Sequence, residues 1–193
     1  MELDVGHPIL LVSGEGEVVG DSPERRVEIL CDQDELVVTW TRFGPFRDGA
    51  SPHIHRAHCD LFFVLAGELT LLVGPEHEER VLPAGTLALA PPLVVHGFRN
   101  GSDSELRYLN FHAPGSGFAG YLRGMGTNFD SEDPPADGGL PADDALIISV
   151  EDGPLLVDRP EIRIEVLGEP GPGSDRVTCL YALPDGRFLQ IEA

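Results

Sequence analysis

The chain has 193 residues with 41% apolar content, enough to bury one real core, and no apolar run approaches the roughly 20 residues needed to span a bilayer as a helix. Its formal net charge is −20 and all 13 basic residues are arginine, so its surface repels nucleic acid and anionic membranes and disfavours both as partners. Gly 23 and Pro 17 favour short strands joined by tight turns over a helical bundle.

Met1–Leu10 carries acidic residues where a secretory leader carries positive charge, which points to a cytoplasmic protein. The missing lysine fits a GC-rich bacterial genome. Val27–Leu30 and Leu36–Phe43 are rich in β-branched and aromatic residues and predict strands. Leu61–Leu65 and Leu69–Val73 flank Ala66-Gly67-Glu68, which predicts a hairpin turn. Val81–Leu82, Thr86–Ala90, Val94–Arg99 and Leu106–His112 continue the series, each closed by Pro, Gly or Asn. Short strands at such even spacing predict an all-β barrel or sandwich.

Ser116–Arg123 breaks the pattern. Phe118, Tyr121 and Leu122 share one helical face, which predicts a short amphipathic helix. Thr127–Asp144 is acidic, rich in Pro and Gly and poor in apolar anchors, as expected of a mobile surface loop. Strand-like sequence resumes at Leu146–Val150 and runs to the end. Within it, residues 158–167 repeat residues 21–30 at six of ten positions, and Val177-Thr178-Cys179 echoes Val38-Thr39-Trp40. The organisation expected is therefore a barrel over residues 1–115, a helix and acidic loop over 116–145, and a β-rich tail over 146–193. That tail would pack on the barrel or a partner and carry no metal.

Chemistry concentrates between residues 49 and 100. On a strand, positions i and i+2 face the same way, so His53 and His55 can reach one ion together. Asp60 can add a carboxylate oxygen, and His96 adds an imidazole from another strand. Three imidazoles and a carboxylate suit Fe, Mn, Ni, Cu, Co or Zn. His58 is a further candidate, and His112 lines the pocket or faces solvent. His77 belongs to a charged turn, and His7 to a terminus. Cys31, Cys59 and Cys179 have no metal-ligand spacing and are expected as reduced, buried fillers, although a Cys59 thiolate ligand is conceivable.

Gly49, His53, His55, Asp60 and Gly67, followed by Gly85, Pro91, His96 and Asn100, resemble the two motifs of the cupin superfamily. That resemblance implies a double-stranded β-helix, or jelly-roll, barrel with one divalent transition metal inside it on His53, His55, Asp60 and His96. Asp60 stands where the family has Glu, which leaves it as a direct ligand, a ligand through water or a proton acceptor for substrate. Leu93 stands where the second motif has a turn glycine, a change expected to alter the approach to His96.

Phe62 and Val64 share the alternation of Asp60, and Phe98 that of His96, so an apolar wall around the ion is expected. Such a wall favours an aromatic or otherwise apolar small molecule, with Arg42, Arg56, Arg99 or Arg107 as candidates for a substrate carboxylate. The H-x-H pair and the Leu109–Pro114 run followed by Gly117-Phe118 are similar to quercetin-dioxygenase-like bacterial cupins, which implies a dioxygenase-like oxidoreductase, with isomerisation or decarboxylation as other chemistries. Asp60 is then the candidate catalytic group. The alternative is a non-catalytic binding or sensor cupin. A homodimer through edge strands is the default assembly.

Overall fold

The strands arise where alternation and β-branched content are strongest. A computed structural model describes residues 9–12, 14–126, 128–152, 155–158, 162–166, 178–182 and 188–193. The first strands are β1 (Ile9–Val12), β2 (Glu17–Asp21), β3 (Arg25–Gln33) and β4 (Leu36–Phe43). They are followed by β5 (Cys59–Ala66), β6 (Glu68–Val73), β7 (Glu78–Pro83), β8 (Thr86–Ala90), β9 (His96–Arg99) and β10 (Leu106–Ala113). After the short helix α1 (Phe118–Leu122) come β11 (Leu146–Ser149), β12 (Leu155–Asp158), β13 (Arg163–Val166), β14 (Thr178–Ala182) and β15 (Phe188–Glu192).

Three sheets stack. A seven-stranded sheet has the order β11-β8-β5-β10-β4-β3-β2, a three-stranded sheet β7-β6-β9, and a five-stranded sheet β1-β15-β14-β13-β12. The first two face each other as the two walls of a jelly-roll barrel. Phe62, Val64 and Tyr108 from one wall meet Leu69, Leu71 and Val73 from the other at one end of the interior. The third sheet covers the outer face of the seven-stranded one, where Leu61, Phe63, Leu109 and Phe111 pack beneath Ile164 and Leu189. Each fully buried Leu or Phe contributes about 1.5–3 kcal/mol. The fold is all-β apart from α1 and two short 3-10 turns.

Residues 66–68 do not make a hairpin. β5 pairs with β10 and β8, whereas β6 pairs with β7 and β9. The turn instead carries the chain from one wall of the barrel to the other. Gly67 has φ 75 there, and a Cβ would collide with the Glu105 carbonyl oxygen, so only glycine fits the crossing. Alternation is the same for a hairpin and a wall-to-wall crossing, which is why the pattern alone misassigns it.

The two related segments lie in different sheets. Val27 and Ile29 are on β3 and face the barrel interior, whereas Ile164 and Val166 are on β13 and pack against the barrel's outside. Positions 159–161, 167 and 177 of the repeat, and His7, fall outside the described residues. Cys31, Cys59 and Cys179 are buried and unbridged. Cys59 faces the outer core, away from the histidines, and burial pushes the Cys179 thiol up to about 12. No helix among the described residues is long and apolar enough to cross a membrane.

Candidate metal centre

His53 and His55 lie on the segment entering β5, Asp60 near the start of β5, and His96 at the start of β9. The structure brings all four together, their ligand atoms within 4.8 Å of one another. Main chain does the positioning. The His53 and His96 backbones form an isolated antiparallel bridge, each amide donating to the other's carbonyl at 2.9 Å. Gly97 and Gly49 allow this close approach: a Cβ at Gly49 would collide with the Phe98 ring.

Each imidazole is then turned by a backbone carbonyl. His53 Nδ1–H donates to Ser51 at 2.8 Å, His96 Nδ1–H to Val94 at 2.9 Å, and His55 Nδ1–H to the carbonyl of Asp130. A carbonyl only accepts, so the proton is on Nδ1 and the Nε2 lone pair is free in all three rings. His55 Nε2 and His96 Nε2 are buried without a hydrogen-bond partner. They face Asp60 Oδ2 at 3.7 and 3.3 Å. An orphaned buried polar atom costs about 1–3 kcal/mol. Lone pairs converging on one point beside a carboxylate fit a cation, and this donor set fits a divalent transition metal.

Electrostatics agree with the geometry. Burial, reinforced by His96 and His55, pulls His53 down to about 4, so its ring is neutral at neutral pH. Burial alone would raise the Asp60 carboxyl, but His112, His55 and His96 together outweigh it and hold the group well below its usual range. The Asn110 side-chain amide donates to Asp60 Oδ1, and to the Leu61 carbonyl at 2.9 Å. One oxygen of Asp60 is thereby tied to the wall while Oδ2 remains with the imidazoles.

Leu93 does not disturb this arrangement. It adopts φ 69, the left-handed conformation a glycine would take, with its amide donating to the His55 carbonyl at 2.8 Å. The turn into His96 is kept despite the substitution, at a backbone cost of about 1–2 kcal/mol.

His58 and His112 form a second layer. His58 Nδ1 lies 3.1 Å from Asp130 Oδ2, and its Nε2 lies 2.9 Å from His112 Nδ1. The Asn110 amide points its NH2 at Asp60 and Leu61, so its Oδ1 faces His112 and accepts from Nε2–H at 3.0 Å. Burial is the main cause that pulls His58 down to about 4 and His112 to about 3. His55, His58 and His112 also have ligand atoms within 4.8 Å of one another, but those of His58 and His112 already have hydrogen-bond partners. His77 is exposed in a turn far from this cluster.

The acidic segment after α1 is not a loose surface loop. Phe129 packs 5.4 Å from the His55 ring and 5.1 Å from Phe118. The Asp130 carboxylate accepts from the Arg56 amide at 3.0 Å and the Ala57 amide at 2.7 Å. Glu132 bridges to Ile54 through backbone and to Arg56 through its side chain at 2.7 Å. Leu140 then bridges to Val94. The segment is a strap across the histidines, and its anchors are single residues that an average over an acidic, Pro-rich run conceals. A lone Phe followed by Asp was the available signal.

The site floors a cavity of about 690 Å³. Phe43, Phe98 and Tyr108 wall one side, and Phe118, Leu122 and Phe129 the other. Arg42, Arg56, Arg99 and Arg107 are not among its lining residues; each pairs with a carboxylate elsewhere. Arg25 and Arg47, which the sequence patterns do not single out, line it instead.

Residues 40–112 match a family model described as the cupin domain. The chain is 26% identical over 155 residues to quercetin 2,3-dioxygenase of Bacillus subtilis (strain 168), covering 79% of this chain and 45% of that protein. It thus spans less than half the length of the curated relative it matches. Among solved structures, KdgF from Halomonas sp. is 19% identical with a TM-score of 0.48, over 56% of this chain and 94% of that one. A double-stranded β-helix protein from Klebsiella pneumoniae subsp. pneumoniae MGH 78578 is 25% identical with a TM-score of 0.44, over 50% and 77%. With paired histidine motifs inside the matched segment and a jelly-roll barrel around them, residues 40–112 are a cupin domain.

Proposed function

We propose that the chain is a metal-dependent enzyme acting on a small aromatic molecule, with dioxygenase-like chemistry. One observation carries the reading: two buried, unpartnered Nε2 atoms face a carboxylate at the floor of an aromatic-walled cavity. His53, His55 and His96 would hold the ion through Nε2, and Asp60 through Oδ2. When bound, such an ion supplies Lewis acidity and, if redox-active, electron transfer to a chelating substrate.

The chain's own residues supply the rest. The aromatic walls stack a planar ring and set its orientation over the floor. Phe129 and the strap close one side against water. Asp60, held ionised, is the group to take the proton of a substrate hydroxyl brought to the floor. The likeness to a protein named quercetin 2,3-dioxygenase supports an aromatic substrate, through a match over 45% of that protein.

The test uses protein purified without oxygen, stripped with a chelator and reconstituted with Fe(II) or the other candidate ions. Quercetin and simple catechols are then added and oxygen uptake followed. We expect one ion per chain, uptake with at least one metal, and loss of both in His96→Ala. Tight saturable binding of these molecules with no uptake under any metal would make the chain a binding or sensor module. Full metal retention in His96→Ala would overturn the site itself.

A further inference from the structure

We propose that the substrate is an aromatic acid, entering with its metal-binding oxygens toward the floor and its anionic group received at the mouth by Arg25, with Arg47 beside it. The inference rests on the reading that the metal lies at the cavity floor, and it adds the charge and polarity of the ligand.

The chain has 33 acidic residues for 13 arginines, so a guanidinium finds a carboxylate easily. Arg26, Arg56, Arg80, Arg99 and Arg123 do so at 2.5–2.8 Å, and Arg42 and Arg107 at 3.5–3.8 Å. Among the described residues, Arg25, Arg47 and Arg163 have no such partner, and of these Arg25 and Arg47 line the cavity. Asp48 and Asp133 also reach the rim, yet neither pairs with either arginine.

Arg25 is also aimed. Its guanidinium carbon lies 5.9 Å from the centroid of the Phe43 ring, itself a wall of the cavity in edge contact with Tyr108 at 5.7 Å. A guanidinium laid on an aromatic wall is held in place and keeps its N–H groups free for a planar anion. The cavity therefore runs from a carboxylate and imidazole floor, past apolar walls, to an exposed rim where two guanidiniums stand unpaired beside Asp48 and Asp133. A ligand complementary to all three levels is flat, apolar in the middle, chelating at one end and anionic at the other.

Caffeate has this layout, with a catechol at one end and a carboxylate at the other; methyl caffeate keeps the catechol and ring without the charge. Zinc-loaded protein, which does not turn these over by redox chemistry, is titrated with each by calorimetry. We expect caffeate to bind about 10-fold or more tightly than its ester, a charge-assisted contact being worth that much. Arg25→Gln/Arg47→Gln should erase the preference while leaving methyl caffeate binding unchanged. Both side chains are exposed, so the variant should fold, which its melting temperature verifies.

Equal affinity in the unaltered protein, a preference surviving in the variant, or no saturable caffeate binding by zinc-loaded protein overturns the inference. Failure of the metal reading shows separately, as zinc below one per chain. The arginines are then read with cinnamate against methyl cinnamate, which have no catechol, and absence of a preference there overturns the inference equally.

Discussion

The two faces of the seven-stranded sheet are both buried, and they are built for opposite purposes. Along β5 and β10 the outward residues Leu61, Phe63, Leu109 and Phe111 are fully buried under the five-stranded sheet. On the inward side Phe62, Val64 and Tyr108 are apolar, whereas Asp60, Asn110 and His112, at the histidine end, are also almost fully buried and are polar. The outward face contributes burial energy. At that end the inward face forgoes the energy to hold ionisable groups buried, which is tolerable because each is hydrogen-bonded or aimed at one point. Stability and chemistry are thus separated by the period of the strand.

Breaking the outward face gives the largest effect. Phe111→Ala leaves a cavity between the two sheets and should cost about 3–5 kcal/mol, read from urea unfolding. Metal bound per folded chain should stay the same, since Phe111 points away from the histidines. Loss of metal at temperatures where the variant is still folded would show that the faces are coupled.

Acid should break the inward face first. In metal-free protein His53 and His58 are held at about 4 and His112 at about 3, below the 6.5 of an ordinary histidine. Between those values the unfolded chain binds more protons than the folded one, so stability is complete above 6.5 and is lost as the pH falls toward the folded values. Asp60, also depressed, adds its own loss at still lower pH. The melting temperature should be flat near about pH 7 and fall between about pH 6 and about pH 4, for a loss on the order of a few kcal/mol. A melting temperature unchanged between about pH 7 and about pH 5 would contradict the buried neutral histidines.

The same contrast explains what the sequence could show. His53, His55, Asp60 and His96 are legible because strand geometry and two glycine-flanked motifs require them at fixed spacing. Short strands and even turns are enough to predict a barrel or sandwich, and the resemblance of the two motifs narrows it to a jelly roll. The third sheet's parallel pairing of β1 with β15 is not legible, because it joins residues from opposite ends of the chain. Nor is the strap, whose anchors act one at a time. Phe129 and Asp130 reach the site by contacts with residues more than seventy positions away, which leave no local period. The arginines show the limit most plainly: every arginine looks alike in sequence, and only a place on the cavity lining without a carboxylate partner distinguishes Arg25 and Arg47.

Asp130→Asn tests how far the strap belongs to the inward face. The change keeps the backbone carbonyl that orients His55 but weakens the charge-assisted bonds to the Arg56 and Ala57 amides and to His58. Stability should fall by about 1–3 kcal/mol. Metal affinity should fall about 10-fold, as expected when a group behind the ligands is altered. An unchanged affinity in a competition titration would limit the strap to a structural role.

Leu93→Gly is the smallest and most local test. Leu93 sits between the two motifs' histidines in space, its amide on the His55 carbonyl and its own carbonyl accepting from Leu140 at 3.0 Å. Both bonds need the left-handed backbone, which costs a leucine about 1–2 kcal/mol and a glycine nothing. Against this, glycine gives the unfolded chain more freedom, by about 0.5–1 kcal/mol, and some side-chain contact is lost from a residue 38% exposed. The balance should be a gain of no more than about 1 kcal/mol, with metal affinity unchanged, because backbone contacts set the turn and the rings. A drop in melting temperature would show that side-chain packing outweighs the strain. Weaker metal binding would show that the Leu93 side chain, and not the shape of the turn alone, holds His96 in place.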